Sequence, residues 1–171
     1  EDVNQAMKMQ DIETPWRFSA NASFFGAQRD RFNEYQPART LDEKFALIAQ
    51  VEGITGVELK YPRDFGDMDR VRALLEEHAL VLSAVNVNTK TTTLFHYGAL
   101  SSRDAEARRT VVQRLREGMD VAADFGAEIV TTCPLAEGYD YPFQVDYAAA
   151  WDHVVETLRA VVSHRDDVNL V

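Results

Sequence analysis

Four stretches of this chain finish in side chains able to bind, or move protons on, a polyhydroxylated molecule. Asn21 and Ser23 close the first, Glu58, Lys60 and Tyr61 the second, and Asn86, Asn88 and, further along, His96 the third. The fourth carries Cys133, Glu137, Asp140, Tyr141 and Gln144. Amides and carboxyls suit such a ligand because each hydroxyl both donates and accepts, and aromatic rings offer faces to stack on.

Each of these residues also has a plainer use. Asn86 and Asn88 can cap a loop as well as touch a ligand. Glu58 and Lys60 stand two apart, hence on one face of a strand, where a structural ion pair is as natural as a catalytic one. His96 is the histidine expected at the reacting end, whereas His78, His153 and His164 ride on helices and face solvent. Cys133 has no histidine at a clear partnering distance, so it reads as a small buried hydrophobe in the pocket wall rather than a nucleophile. The run Gly138-Tyr139-Asp140-Tyr141-Pro142-Phe143-Gln144-Val145-Asp146-Tyr147 is dense in aromatics and must be packed, bound or covered by a partner.

The elements that position these groups follow from periodicity. Alternation from Arg17 to Phe24 predicts a first strand, then a polar loop from Gly26 to Arg39. Thr40-Leu41-Asp42-Glu43 is a capping box opening a helix with Phe45, Ile48 and Ala49 inward, closed by Gly53 and Gly56. Val57 to Tyr61 is a second strand. Asp67 caps a helix burying Val71, Leu74 and Leu75, before the apolar run Leu80 to Val85. Ser101 to Asp104 opens a long helix whose Val112, Leu115, Met119, Ala122 and Ala123 keep helical spacing to Gly126. Ile129 to Cys133 is a fourth strand. Asp146 starts a last helix with Trp151, Val154, Val155, Leu158, Val161 and Val162 on one stripe, and residues 168–171 begin a fifth strand.

Repeated strand and helix pairs allow a barrel or an open doubly wound sheet. No G-x-G-x-x-G follows the first strand, where the chain reads Asn21-Ala22-Ser23-Phe24-Phe25-Gly26, which removes the main support for dinucleotide binding. The expected fold is α/β, a (β/α)8 TIM barrel of which this chain holds the first four β/α units and the start of the fifth strand. Residues 1–15 are expected to form an N-terminal arm and residues 16–171 the half barrel.

The 171 residues, 46% hydrophobic and with a single cysteine, exclude a disordered chain and a disulfide-stapled module. A formal net charge of −10 repels phosphate backbones and anionic lipid, so neither nucleic acid nor membrane is an expected partner. A reducing, cytoplasmic location fits the lone cysteine.

Three further motifs accompany the aromatic loop: Gly56-Val57-Glu58-Leu59, the segment from Gly98 to Asp104, and Met119-Asp120-Val121-Ala122-Ala123-Asp124-Phe125-Gly126-Ala127. Together they resemble the xylose-isomerase-like barrels of the sugar isomerase and epimerase superfamily over residues 40–171. The resemblance implies a divalent metal (manganese, magnesium, cobalt or zinc) held by carboxylates and a histidine at the ends of strands five to eight, beyond Val171. No metal ligand is therefore assigned here. It implies a metal-dependent isomerase or epimerase that moves a proton beside a carbonyl of a sugar or sugar derivative. His96 is then the acid or base, Lys60 neutralises developing charge, and Asn86, Asn88, Asp140 and Gln144 bind hydroxyls, with Glu58, Cys133 and Tyr141 also lining the pocket. Relatives often carry tryptophan where Cys133 stands, which leaves this wall smaller.

One alternative within the resemblance is the catalytic subunit of a C-glycoside deglycosidase. Such an enzyme cleaves an oxidised C-glycoside by the same proton abstraction and works with a second subunit. Another is a non-catalytic half barrel that binds or assembles. A small-molecule carbohydrate or glycoside and a homo- or hetero-oligomer are the expected partners. Abasic-site cleavage, known on this fold, is disfavoured by the charge.

Overall fold

The computed structural model of the protein describes residues 16–171; the expected arm at 1–15 lies outside them. Five strands form one parallel sheet: β1 (Phe18–Asn21), β4 (Ile54–Tyr61), β5 (Val81–Val87), β6 (Ile129–Thr132) and β7 (Asn169–Leu170). They lie side by side in chain order. A doubly wound sheet reverses its strand order at a switch point, whereas a barrel winds in one direction, and this sheet winds in one direction.

Helices α1 (Leu41–Ile48), α2 (Met68–Glu77), α3 (Ala105–Asp124) and α4 (Tyr147–Val162) connect the strands. Each begins at the residue its sequence names. Thr40 accepts from the Glu43 N–H at 3.2 Å while Glu43 accepts from the Thr40 N–H at 2.7 Å, the reciprocal capping box. Asp67, Asp104 and Asp146 each take an orphan N–H of the first turn of α2, α3 and α4.

The core lies between the helices and the convex face of the sheet. Val57 and Leu59 of β4, Val85 and Val87 of β5, and Val130 of β6 are buried with Phe45, Ile48, Leu74, Leu115 and Met119 from the helices. Helix α3 approaches so closely that a side-chain carbon added at Gly118 would stand 2.3 Å from Val87 Cγ2. Glycine is what this contact permits. On α4 the expected stripe is only partly covered: Val161 is buried, Val154 and Leu158 pack against the core, and Trp151 and Val162 stay exposed.

Three local expectations need correction. The loop after the first strand contains a hairpin of β2 (Gln28–Arg29) and β3 (Glu34–Gln36). Asp30 builds its turn, accepting from the N–H groups of Phe32 and Asn33 at 2.7 and 2.8 Å and from the Tyr35 hydroxyl at 2.7 Å. Gly56 does not close a helix but lies inside β4. A side-chain carbon there would crowd Ser83 Cβ at 3.3 Å and Ser19 Cβ at 3.4 Å on the neighbouring strands. The residues from Ala22 to Phe25 leave the first strand for a 3-10 turn, because the Asn21 side chain accepts from the Ser23 N–H and turns the chain.

Candidate functional site

Strand alternation that sends valines and leucines to the helices sends polar groups to the concave face. Asn21 pairs in register with Glu58, Glu58 with Ala84, Lys60 with Asn86, and Asn86 with Thr131. The result is a polar row across four strands on two adjoining levels, Asn21 and Glu58 on the lower and Lys60, Asn86 and Thr131 on the upper. Three of its members are tied together. Asn86 Nδ2 donates to Thr131 Oγ1 at 2.8 Å, and the Thr131 hydroxyl donates to Glu58 Oε1 at 2.9 Å. One level below, Ser19 and Ser83 share a 2.5 Å hydrogen bond over Gly56. Ser83 reaches that face because the register slips between Val57 and Glu58, where β5 carries one extra residue.

The row fixes the geometry of Glu58. Rather than an ion pair with Lys60, its carboxylate takes the Thr131 hydroxyl, and Thr131 is in turn held by Asn86. Thr131 was not among the expected site residues. The sequence offers only an interior threonine between Val130 and Thr132, and cross-strand register alone reveals its place. Lys60 stands on the same face of β4, with Arg63 and Lys90 near enough to act on it. Burial, then those two cations, hold its ammonium below the usual lysine range, against the pull of Asp64 and Glu58.

Asn88 serves the loop. Its Oδ1 accepts from the Lys90 N–H at 3.1 Å and its Nδ2 donates to Thr91 Oγ1, an arrangement that turns the chain after β5. His96 follows a short 3-10 turn, is exposed, and meets Tyr97 edge to face at 4.3 Å. It lines a cavity of about 570 Å³ with Lys90, Thr91, Thr92 and Thr93. The other histidines differ from the solvated reading in detail. His78 packs 6.1 Å from the Phe45 ring, His164 binds Asp120 at 2.9 Å, and the His153 Nδ1 is buried without a partner among the described residues.

Glu137 clasps the loop after β5 to the loop after β6. Its Oε1 accepts from the N–H groups of Ala99 and Leu100 at 2.9 and 2.7 Å, and its Oε2 from the Ser101 N–H at 3.0 Å and the Ser101 hydroxyl. Gly98 makes room for it: φ is +96° there, and an added carbon would come within 2.7 Å of Glu137 Oε2. Tyr97 and Tyr139 stack across the same junction, with ring centres 5.9 Å apart.

Beyond the clasp, Asp140, Tyr141 and Gln144 are exposed. Gln144 closes its own turn, its Oε1 accepting from the Tyr141 N–H at 3.2 Å. Cys133 is exposed, a correction to its reading as a buried hydrophobe. Strand β6 ends at Thr132, so Cys133 already belongs to the loop. Among the described residues no three His, Cys, Asp or Glu side chains converge to hold a metal ion. The carboxylate on the row, Glu58, is committed to Thr131.

A one-way parallel sheet, helices on its convex face and a polar row on its concave face define half of a β/α barrel. The chain belongs to the xylose isomerase-like TIM barrel family, which it matches over residues 45–171. It is 28% identical over 142 residues to a probable sugar isomerase of Mesorhizobium japonicum, covering 80% of this chain and 31% of that protein. It is 30% identical over 98 residues to the xylose isomerase of Thermus thermophilus, covering 57% of this chain and 25% of that one. Among solved structures it superposes on a Methylomonas D-allulose 3-epimerase in complex with D-allulose. The TM-score is 0.64 at 14% identity, over 89% of this chain and 49% of the epimerase. The chain thus spans between a quarter and half of these proteins.

Proposed function

We propose that the protein is an isomerase or epimerase acting on a sugar or sugar derivative by moving a proton on the carbon beside a carbonyl. The observation that carries this reading is the tied row of Glu58, Thr131 and Asn86, with Lys60 beside it, on a face whose opposite side already supplies the core. Folding does not need that polarity, so its use is in binding and chemistry. Its sugar isomerase relatives support the same reading.

In this proposal Lys60 stabilises the negative charge that develops on the carbonyl oxygen as the neighbouring C–H proton leaves. Asn86 and Glu58, fixed through Thr131, receive hydroxyls in defined directions. His96, on the exposed rim beside Lys90 and the threonines, exchanges the proton with water. The divalent metal implied by the family has no three-ligand group among the described residues, so no step is assigned to it.

A second reading rests on a separate observation. An apolar recess of about 290 Å³, lined by Tyr139, Val145, Tyr147 and Trp151, adjoins the loop clasp. It suits an aromatic group and therefore cleavage of an oxidised C-glycoside by the same proton abstraction.

One experiment tests both. Ketoses and an oxidised aryl C-glycoside are incubated in deuterium oxide with manganese, magnesium, cobalt and zinc supplied in turn, and followed by proton NMR. Loss of the C–H signal beside the carbonyl, slowed at least about a hundredfold by Lys60→Met, is the expected result. Release of the aryl group selects cleavage. Absence of exchange on every substrate refutes the proposal.

A further inference from the structure

On the outer flank of the mouth, between the first turns of α1 and α2, lies a cavity of about 390 Å³. Arg39, Lys44, Arg63 and Arg70 line it with Asp64 and Asp67, four cations against two carboxylates in a chain whose net charge is −10. Lys44 is only 7% exposed. Gly26 leaves it room, since an added carbon there would come 3.2 Å from Lys44 Cε and 3.6 Å from its ammonium nitrogen.

Every other charge at this cavity has a partner. Asp64 accepts from Arg63 at 2.8 and 3.0 Å and from the Lys60 N–H at 2.9 Å. Asp67 caps α2 through the Arg70 N–H at 2.9 Å, and Arg70 is held by Asp42 and Glu77. Arg39 donates one N–H to the Phe25 carbonyl at 2.9 Å and keeps further donors. The Lys44 ammonium has no hydrogen-bond acceptor among the described residues. The stem of Lys44 is buried while its ammonium lines the cavity without a protein acceptor, so its donors are open to an anion seated there. Burial pushes its pKa down, which Asp64 only partly offsets.

We propose that this cavity binds a small oxyanion, a phosphate group free or as an ester, seated on the Lys44 ammonium with Arg39 and Arg63 at its rim. A phosphate brings the acceptors that Lys44 lacks, and arginine donors match its oxygens. The site is distinct from the concave row, to which it is joined through Asp64 and the Lys60 N–H, and it does not depend on the sugar chemistry proposed above.

Calorimetric titration with inorganic phosphate and with glycerol 3-phosphate, against chloride at matched ionic strength, tests it. A one-site isotherm is expected, weakened about tenfold or more by Lys44→Met and less by Arg39→Gln, and retained in Lys60→Met. The tighter of the two probes tells free phosphate from an ester. If Lys44→Met does not fold, the loss in Arg39→Gln carries the test. Binding no better than chloride, unchanged affinity in Lys44→Met or Arg39→Gln, or loss in Lys60→Met alone overturns the proposal.

Discussion

Replacing Glu137 should unfasten the mouth of the barrel. Three backbone N–H groups, those of Ala99, Leu100 and Ser101, end on its carboxylate. All three residues are buried, at 0%, 3% and 7% exposure. A buried donor left without an acceptor costs about 1–3 kcal/mol. Three such donors set a ceiling of about 9 kcal/mol, but the recess beside Ser101 and Glu137 admits water to the space an alanine leaves. Glu137→Ala should therefore cost about 3 kcal/mol, near the lower end. Glu137→Gln keeps one oxygen for two of the donors and sets an amide N–H against the third, for about 1–2 kcal/mol. Urea unfolding of the parent and both variants measures this, with unchanged slope showing that stability rather than compactness has moved. A Glu137→Ala midpoint within about 0.5 kcal/mol of the parent, or Gln costing more than Ala, would show that the clasp does not hold these loops.

Three further outcomes are expected. Gly118→Ala gains up to about 1 kcal/mol of helix propensity but drives a carbon to 2.3 Å from Val87 Cγ2, an overpacking worth about 1–3 kcal/mol, so the variant is less stable in urea. Val87→Ala should cost less in that background than in the parent. The ammonium groups of Lys60 and Lys44 both lie below their ordinary 10.5. Between the lowered values and 10.5 the unfolded chain holds protons the folded chain has released, so stability rises with pH there. Lys60→Met should flatten part of that slope in urea midpoints taken below pH 10.0, above which the raised Tyr61 acts in the opposite sense. Cys133, being exposed, should react with a thiol reagent in the native protein as fast as in urea, and slow native labelling would return it to the core.

The elements were legible because local physics determines them. Thr40, Asp67, Asp104 and Asp146 cap helices by bonds to the N–H groups two or three residues on, which sequence spacing displays directly. Alternation likewise marked Val57 and Leu59 for the core and Glu58 and Lys60 for the other face. What sequence could not display was long-range register. Thr131 joins the row because β6 sets it opposite Asn86 on β5, a pairing visible in no local pattern. Glu137 appeared as one more polar tip residue, yet its partners lie 36 to 38 positions away. The hairpin between β1 and α1 is two and three residues per strand, too short to show a period, and its turn depends on the single side chain of Asp30.

The two faces of the sheet carry separate obligations, and this separation bears on how the site can change. Val57, Leu59, Val85 and Val87 meet the helices, so their replacement is paid in stability. Glu58, Lys60, Asn86 and Thr131 alternate with them along the same strands and bury no core. Their replacement should alter binding and chemistry while the half barrel keeps its helices in place. The exception is the pair of loops at the mouth, because Glu137 serves shape there: it holds the segment after Gly98 against the aromatic loop that frames the apolar recess. Substitutions in that junction should move substrate preference and stability together, whereas those on the row should separate the two.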